Sequence, residues 1–96
     1  MSYDLIAIGV GDYEDLHAEL PPRDHFEVFP IPPEAPGDLP GLGIALPRSR
    51  SLGAYLELVA LIRILWKRGA TVIDLYRGER VANVADLAAT REEIES

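Results

Sequence analysis

The chain has 96 residues, a formal net charge of −7 and no cysteine. That length supports one hydrophobic core, so we interpret residues 1–96 as a single domain. The acidic balance argues against a nucleic-acid surface, which needs clustered Lys and Arg, and the lack of cysteine excludes disulfides, thiolate zinc sites and cysteine nucleophiles.

The first third of the chain is predicted to form a strand, a short helix and a second strand. Residues 3–9 are an apolar run with little alternation, typical of a strand covered on both faces or placed centrally in a sheet. No basic segment precedes this run, so we expect no secretory signal and a soluble, cytoplasmic protein. A helix capped by Asp12 and ended by two prolines follows. Residues 25–31 then alternate as a strand, and Pro30 predicts that this strand lies at a sheet edge.

The middle of the chain is predicted to form a loop, a strand and the longest helix. Residues 32–41 are rich in proline and predict an irregular loop, and residues 42–47 predict the third strand. A helix over residues 51–68, capped by Ser49 or Ser51 and closed by a glycine, follows. Its apolar positions cover more than one stripe, so we expect something besides a single sheet to cover them. Charged residues interrupt it, so no membrane span is predicted.

The last third is predicted to form a hairpin and a terminal helix. Residues 71–76 and 80–84 are the two strands, joined by a glycine turn. The tail from Asp86 is predicted to end in a short helix, with Thr90 and Glu93 spaced as a capping box. The order βαββαβ, followed by an extra strand and helix, predicts an α+β fold of the split βαβ kind called ferredoxin-like.

Residues 4–11, Asp-Leu-Ile-Ala-Ile-Gly-Val-Gly, resemble the first strand and glycine turn of dinucleotide-binding flavoproteins. The resemblance implies a pyrophosphate site at that turn. The chain departs from the pattern at Glu14, where a third glycine is expected, and Asp12 and Asp15 add negative charge where a pyrophosphate would lie. We therefore predict a strand that ends in a turn, and no cofactor.

An acidic segment follows the first strand. Asp12, Glu14, Asp15 and His17 have helical spacing that could bring metal ligands together, but they lack the length and ligand order of a calcium loop. We predict a solvated acidic surface, a candidate interface for a basic partner, and no metal site. Neither His17 nor His25 has an evident nucleophile partner, so no catalytic residue is predicted.

A basic segment lies at the start of the long helix. Arg48, Ser49, Arg50 and Ser51 occupy the position where helix N–H groups point outward, and they are predicted to bind a carboxylate or phosphate ligand. The alternative is that the arginines pair with the protein's own acids.

Three aromatic residues, Tyr55, Trp66 and Tyr76, are candidates for an interface because aromatic side chains are favoured at interface cores. The alternative is that their rings fill the core of this domain.

The leading functional prediction is a non-enzymatic interaction protein. It would associate with itself through its sheet or helix, as in a homodimer, or mask a basic partner. In size and charge it is similar to small acidic inhibitors of toxins and nucleases, of the immunity or antitoxin type. The alternative is a dimeric ferredoxin-like sensor of small ligands, or a minor enzyme, with an anion site near Arg48 and Arg50. A third prediction is an accessory subunit whose apolar helix packs on a larger protein.

Overall fold

The computed structural model describes residues 2–33, 40–48 and 51–95 and shows an α+β fold. In chain order, the elements are β1 (Ser2–Ile8), α1 (Tyr13–Glu19), β2 (Glu27–Ile31), β3 (Gly41–Pro47), α2 (Leu52–Lys67), β4 (Thr71–Asp74), β5 (Glu79–Arg80) and α3 (Val84–Glu95). Within these described ranges, no helix is both long enough and apolar enough to cross a membrane. Most of the predicted loop, residues 34–39, lies outside the described residues.

The strands form an antiparallel sheet in the order β2-β3-β1-β4-β5. The prediction that β1 is central is confirmed, because two strands lie on each side of it. The prediction of an edge strand containing Pro30 is also confirmed, because β2 is an outer strand of the described sheet and pairs there with β3 alone. This strand order is compatible with a ferredoxin-like arrangement.

Alternation along the strands separates a covered face from an uncovered one. In β1, the side chains of Tyr3, Leu5 and Ala7 are buried, whereas those of Ile6 and Ile8 lie on the other face. The buried side chains belong to a single core cluster, which also contains the inward positions of the helices: Leu16 from α1, Leu58, Leu61, Ile62 and Leu65 from α2, and Leu87 and Ile94 from α3. The described helices therefore cover one face of the sheet.

The helix α2 anchors this core. Its N-cap is Ser51, whose hydroxyl oxygen accepts the N–H of Ala54 at 3.2 Å, and the chain leaves the helix at Gly69, where φ is 78°. The expected extra cover for its apolar surface is provided in part by α3, which joins the same core. The side chains of Leu52 and Leu56 remain more than half exposed.

The predicted start of the terminal helix is wrong. The helix begins at Val84, and the side chain of Asn83 accepts the N–H of Asp86 at 2.9 Å, which is an N-cap contact. Thr90 lies within the helix and is fully buried, where its hydroxyl donates to Asp74 at 2.7 Å. The second hairpin strand is also shorter than predicted, because β5 is Glu79–Arg80.

Candidate interaction site

The face of the sheet opposite the helices, here called the open face, is apolar. Its apolar side chains belong to Ile6, Ile8, Phe29, Ile31, Ala45, Ile73 and Leu75. Three of them expose a large part of their surface: 37% for Ile8, 45% for Phe29 and 52% for Leu75. Leu75 follows β4 and continues its pairing, because its N–H donates to the carbonyl of Asp4 at 3.2 Å.

One row of residues crosses all five strands at the middle of the open face. Strand pairing places Phe29 beside Gly43, Gly43 beside Ile6, Ile6 beside Ile73, and Ile73 beside Arg80. Directly opposed residues point to the same side of a sheet, so this central row presents an aromatic ring at one edge and a cation at the other. Ile6, on the central strand, is its midpoint.

The ring of Phe29 lies over the backbone of β3. A Cβ added to Gly43 would come within 2.2 to 2.9 Å of three ring carbons of Phe29. Glycine is therefore required at position 43 for the ring to hold this position. The side chain of Phe29 is nevertheless 45% exposed, so part of the ring is open to a partner.

Two carboxylates flank one end of the open face. Glu27 and Asp4 are both paired with Ala45, from opposite sides of β3, and both are exposed. The hydroxyl of Ser2 donates to Asp4 at 2.9 Å. The open face therefore has an apolar centre, an acidic end and Arg80 at its β5 edge.

On the helix side, the carboxylate of Asp74 is completely buried and accepts four hydrogen bonds. Its Oδ2 accepts the hydroxyls of Tyr3 at 2.5 Å and Thr90 at 2.7 Å. Its Oδ1 accepts the N–H groups of Tyr76 at 3.0 Å and Arg77 at 3.1 Å. Burial and the bond to Asp74 raise the pKa of Tyr3. Tyr3, Asp74 and Thr90 are buried, and their hydrogen bonds link β1, β4 and α3.

Arg48, a predicted ligand-binding residue, contacts two tyrosines. Its guanidinium carbon lies 5.3 Å from the ring centroid of Tyr3 and 4.7 Å from that of Tyr76, which is cation–π geometry. Its NH1 donates to the carbonyl of Glu93 at 3.3 Å, and its buried Nε has no hydrogen-bond partner among the residues that the structure describes. Ser51, predicted with it, caps α2.

The other two residues of the predicted anion site, Ser49 and Arg50, lie outside the described residues. The enclosed space near this segment is small. A cavity of about 20 Å³ between α2 and α3, lined among others by Ala54, Leu58 and Ile94, has room for about one water molecule. A depression of about 350 Å³ beside Arg23 and Phe26 is open to solvent.

The predicted acidic surface lies on α1, away from the open face. Asp12 caps that helix by accepting the N–H of Asp15 at 3.3 Å, and Glu14 and Asp15 are exposed. Leu16, on the opposite side of α1, is buried in the core. Within the described ranges, no cluster of three His, Asp or Glu side chains could hold a metal ion.

The three aromatic interface candidates have different surroundings. Tyr55 is half-buried, with the guanidinium carbon of Arg91 4.2 Å from its ring centroid. Trp66 is half-buried and donates its indole N–H to the carbonyl of Val81 at 3.0 Å. Tyr76 is 62% exposed, and its ring lies 5.3 Å from that of Tyr3, with the two planes tilted by 36°. None of the three is on the open face.

The apolar residues of the open face were not among the predicted site residues, although β1 carried a signal. Ile6 and Ile8 alternate with Leu5 and Ala7, so the strand is apolar on both sides. Such a strand is expected to be covered on both faces. The described helices cover one of them.

No protein-family model matches the chain, and no curated protein matches it.

Proposed function

We propose that this chain is a non-enzymatic interaction protein. It has a ferredoxin-like fold to which the strand β5 and the helix α3 are added, and the open face of its sheet binds the surface of another protein chain. The observation that carries the proposal is the open face itself. It is a contiguous apolar surface across β2, β3, β1 and β4, bordered by Arg80 on β5, and such surfaces on soluble proteins are commonly interaction sites. A cytoplasmic location belongs to the same proposal.

The energetics fit an interaction of moderate affinity. Fully burying a large apolar side chain contributes about 1.5–3 kcal/mol, and the open-face side chains already bury part of their surface within the sheet. Half of that value over the six large side chains, leaving out Ala45, is roughly 4–9 kcal/mol, comparable to the cost of about 4–15 kcal/mol for losing translational and rotational freedom. Polar contacts at the rim therefore decide which partner binds.

The masking of a basic partner by Asp12, Glu14 and Asp15 remains a separate prediction, because these residues lie on α1 and not on the open face. The two modes respond oppositely to salt. Added salt screens attraction between α1 and a basic protein and weakens that complex, whereas an apolar contact persists. An inhibitor of the immunity or antitoxin type would use the first mode.

A capture experiment tests the proposal. Tagged wild-type protein is used to retrieve bound chains, including added untagged copies of itself, from native lysate at low and raised salt. Ile6→Lys, which places a charge at the centre of the open face, should lose the stoichiometric partner. The matched control is Leu56→Lys, an exposed leucine on α2, which should keep it. Loss of the partner from Leu56→Lys but not from Ile6→Lys would refute the open face as the site.

A second candidate is the predicted anion site, which is favoured by the buried Nε of Arg48, an atom with no hydrogen-bond partner within the described ranges. A ligand carboxylate at that atom would satisfy it. Titration with acetate and inorganic phosphate tests this role, with chemical shifts of the Arg48 side chain as the readout. Unchanged shifts would leave Arg48 as a structural contact of Tyr3 and Tyr76.

A further inference from the structure

On the basis of the proposed function, we propose that the chain covering the open face is a second copy of this protein, related to the first by a two-fold axis parallel to β1. Contacts across a two-fold axis are isologous, so one surface must be complementary to itself. The central row meets that requirement, because its two ends carry different and complementary groups.

The geometry follows from the position of β1 as the third of five strands. The axis is parallel to β1 and lies between the two facing sheets. Rotation by 180° about it places β2 of one copy over β5 of the other. Neighbouring strands are about 4.8 Å apart, so Phe29 and Arg80 lie roughly 10 Å to either side of Ile6. Each Phe29 then faces Arg80 of the other copy, and the two Ile6 side chains meet at the axis.

The two outer groups are suited to each other. The ring of Phe29 lies over β3 at Gly43 and is 45% exposed. The guanidinium of Arg80 makes no hydrogen bond or ion pair with any part of the chain that the structure describes, and it is exposed. A guanidinium over an aromatic ring is an attractive contact, and this arrangement forms it twice.

Two other arrangements fit less well. An axis perpendicular to the strands would put Arg80 against Arg80 and would lay Asp4 and Glu27 over the apolar end of the other sheet, at a desolvation cost. A basic partner protein would place like charge against Arg80. The axis along β1 has one cost, since it brings the two Asp4 carboxylates near each other. Asp4→Asn should therefore tighten the dimer.

Sedimentation equilibrium of the purified protein, at concentrations up to about 1 mM, tests self-association over the range of weak dissociation constants. A dimer is expected. Ile6→Lys should weaken association at least tenfold and Arg80→Glu several-fold, whereas the matched Leu56→Lys control should not change it. Circular dichroism confirms that each variant is folded. Because each copy carries −7 charge, added salt should strengthen this dimer, opposite to its effect on a basic partner.

Cross-linking tests the axis, and the absence of native cysteine makes it direct. Facing sheets are about 10 Å apart, so a bis-maleimide of that span is the probe. Ile6→Cys should cross-link to itself. A mixture of Phe29→Cys and Arg80→Cys chains should cross-link, whereas neither alone should. Cross-linking of Phe29→Cys to itself would overturn the proposed axis.

The outcomes separate this inference from the proposed function. A protein that stays monomeric at the highest concentration, but captures another chain in an Ile6-dependent way, overturns the second copy and retains the open face as a binding surface. A dimer lost in Leu56→Lys and retained in Ile6→Lys overturns both.

Discussion

The hydroxyl of Tyr3 donates a 2.5 Å hydrogen bond to the buried carboxylate of Asp74, joining residues 71 positions apart in the chain. Asp74→Ala would remove the acceptor of this bond and of the bonds from Thr90, Tyr76 and Arg77. Buried donors left without an acceptor cost about 1–3 kcal/mol each, so we expect a loss of at least about 3 kcal/mol in the free energy of unfolding. Urea unfolding measures this. The exposed Asp24→Ala is the control, and equal losses in both variants would contradict the role of Asp74.

Alkaline pH should weaken the fold through Tyr3. Burial, followed by the hydrogen bond from Tyr3 to Asp74, raises the pKa of Tyr3. A raised folded-state pKa gives stability that is complete below the unfolded value of about 10 and is lost as pH rises above it. Urea midpoints from about pH 8 to 11 should therefore fall more steeply for wild type than for Tyr3→Phe. Parallel curves for the two proteins would rule out this contribution.

Acid pH should weaken the fold through Glu57. Partial burial opposes ionisation of Glu57, but hydrogen bonds from the His25 ring and from the N–H groups of His25 and Asp24 outweigh it and lower its pKa. A lowered folded-state pKa gives stability that is present above the unfolded value of about 4.3 and is lost as pH falls below it. Glu57→Gln should flatten the decline of the urea midpoint over that acid range. His25→Ala, which removes one of these partners, should flatten it in part, and an unaltered slope in both would argue against the pair.

Gly43→Ala should act through Phe29. A Cβ at position 43 would lie 2.2 Å from a ring carbon, so the ring must move. Crowding in a packed core costs about 1–3 kcal/mol, and the cost here should lie toward the lower end of that range because the ring is partly exposed and can shift outward. In a Phe29→Ala background the same substitution should cost less, with a coupling energy of at least about 0.5 kcal/mol in a double-mutant cycle. Strictly additive effects would show that the ring does not depend on the glycine.

The order of the elements and the edge position of β2 could be predicted because they depend on local signals. Alternation and helical periodicity identify the strands and α2, and Pro30 cannot supply a donor to a central strand. The start of α3 could not be predicted in this way. Thr90 and Glu93 fit a capping box by residue type. Asn83 and Asp86 fit an N-cap equally well, so residue type does not decide between the two possible helix starts. The choice depends on Asp74, which is distant in sequence and takes the hydroxyl of Thr90.

The candidate site was less accessible to sequence reasoning. Arg48 was predicted to bind a ligand from its place before α2, but Tyr3, from the opposite end of the chain, lies against its guanidinium. The sequence does show that β1 is apolar on both of its sides. Which face the helices cover is decided by tertiary packing, so sequence alone could not identify Ile6 and Phe29 as residues of the face that the described helices leave uncovered.

Both outer strands of the sheet are poor templates for strand addition. Pro30 offers no N–H on β2, and β5 is two residues long, both charged and exposed. Edges of this kind disfavour the ribbon-like growth that leads to fibrils. The described sheet therefore combines an apolar open face with two edges that resist the addition of further strands, so exposure of that face does not bring with it an exposed template for fibril growth.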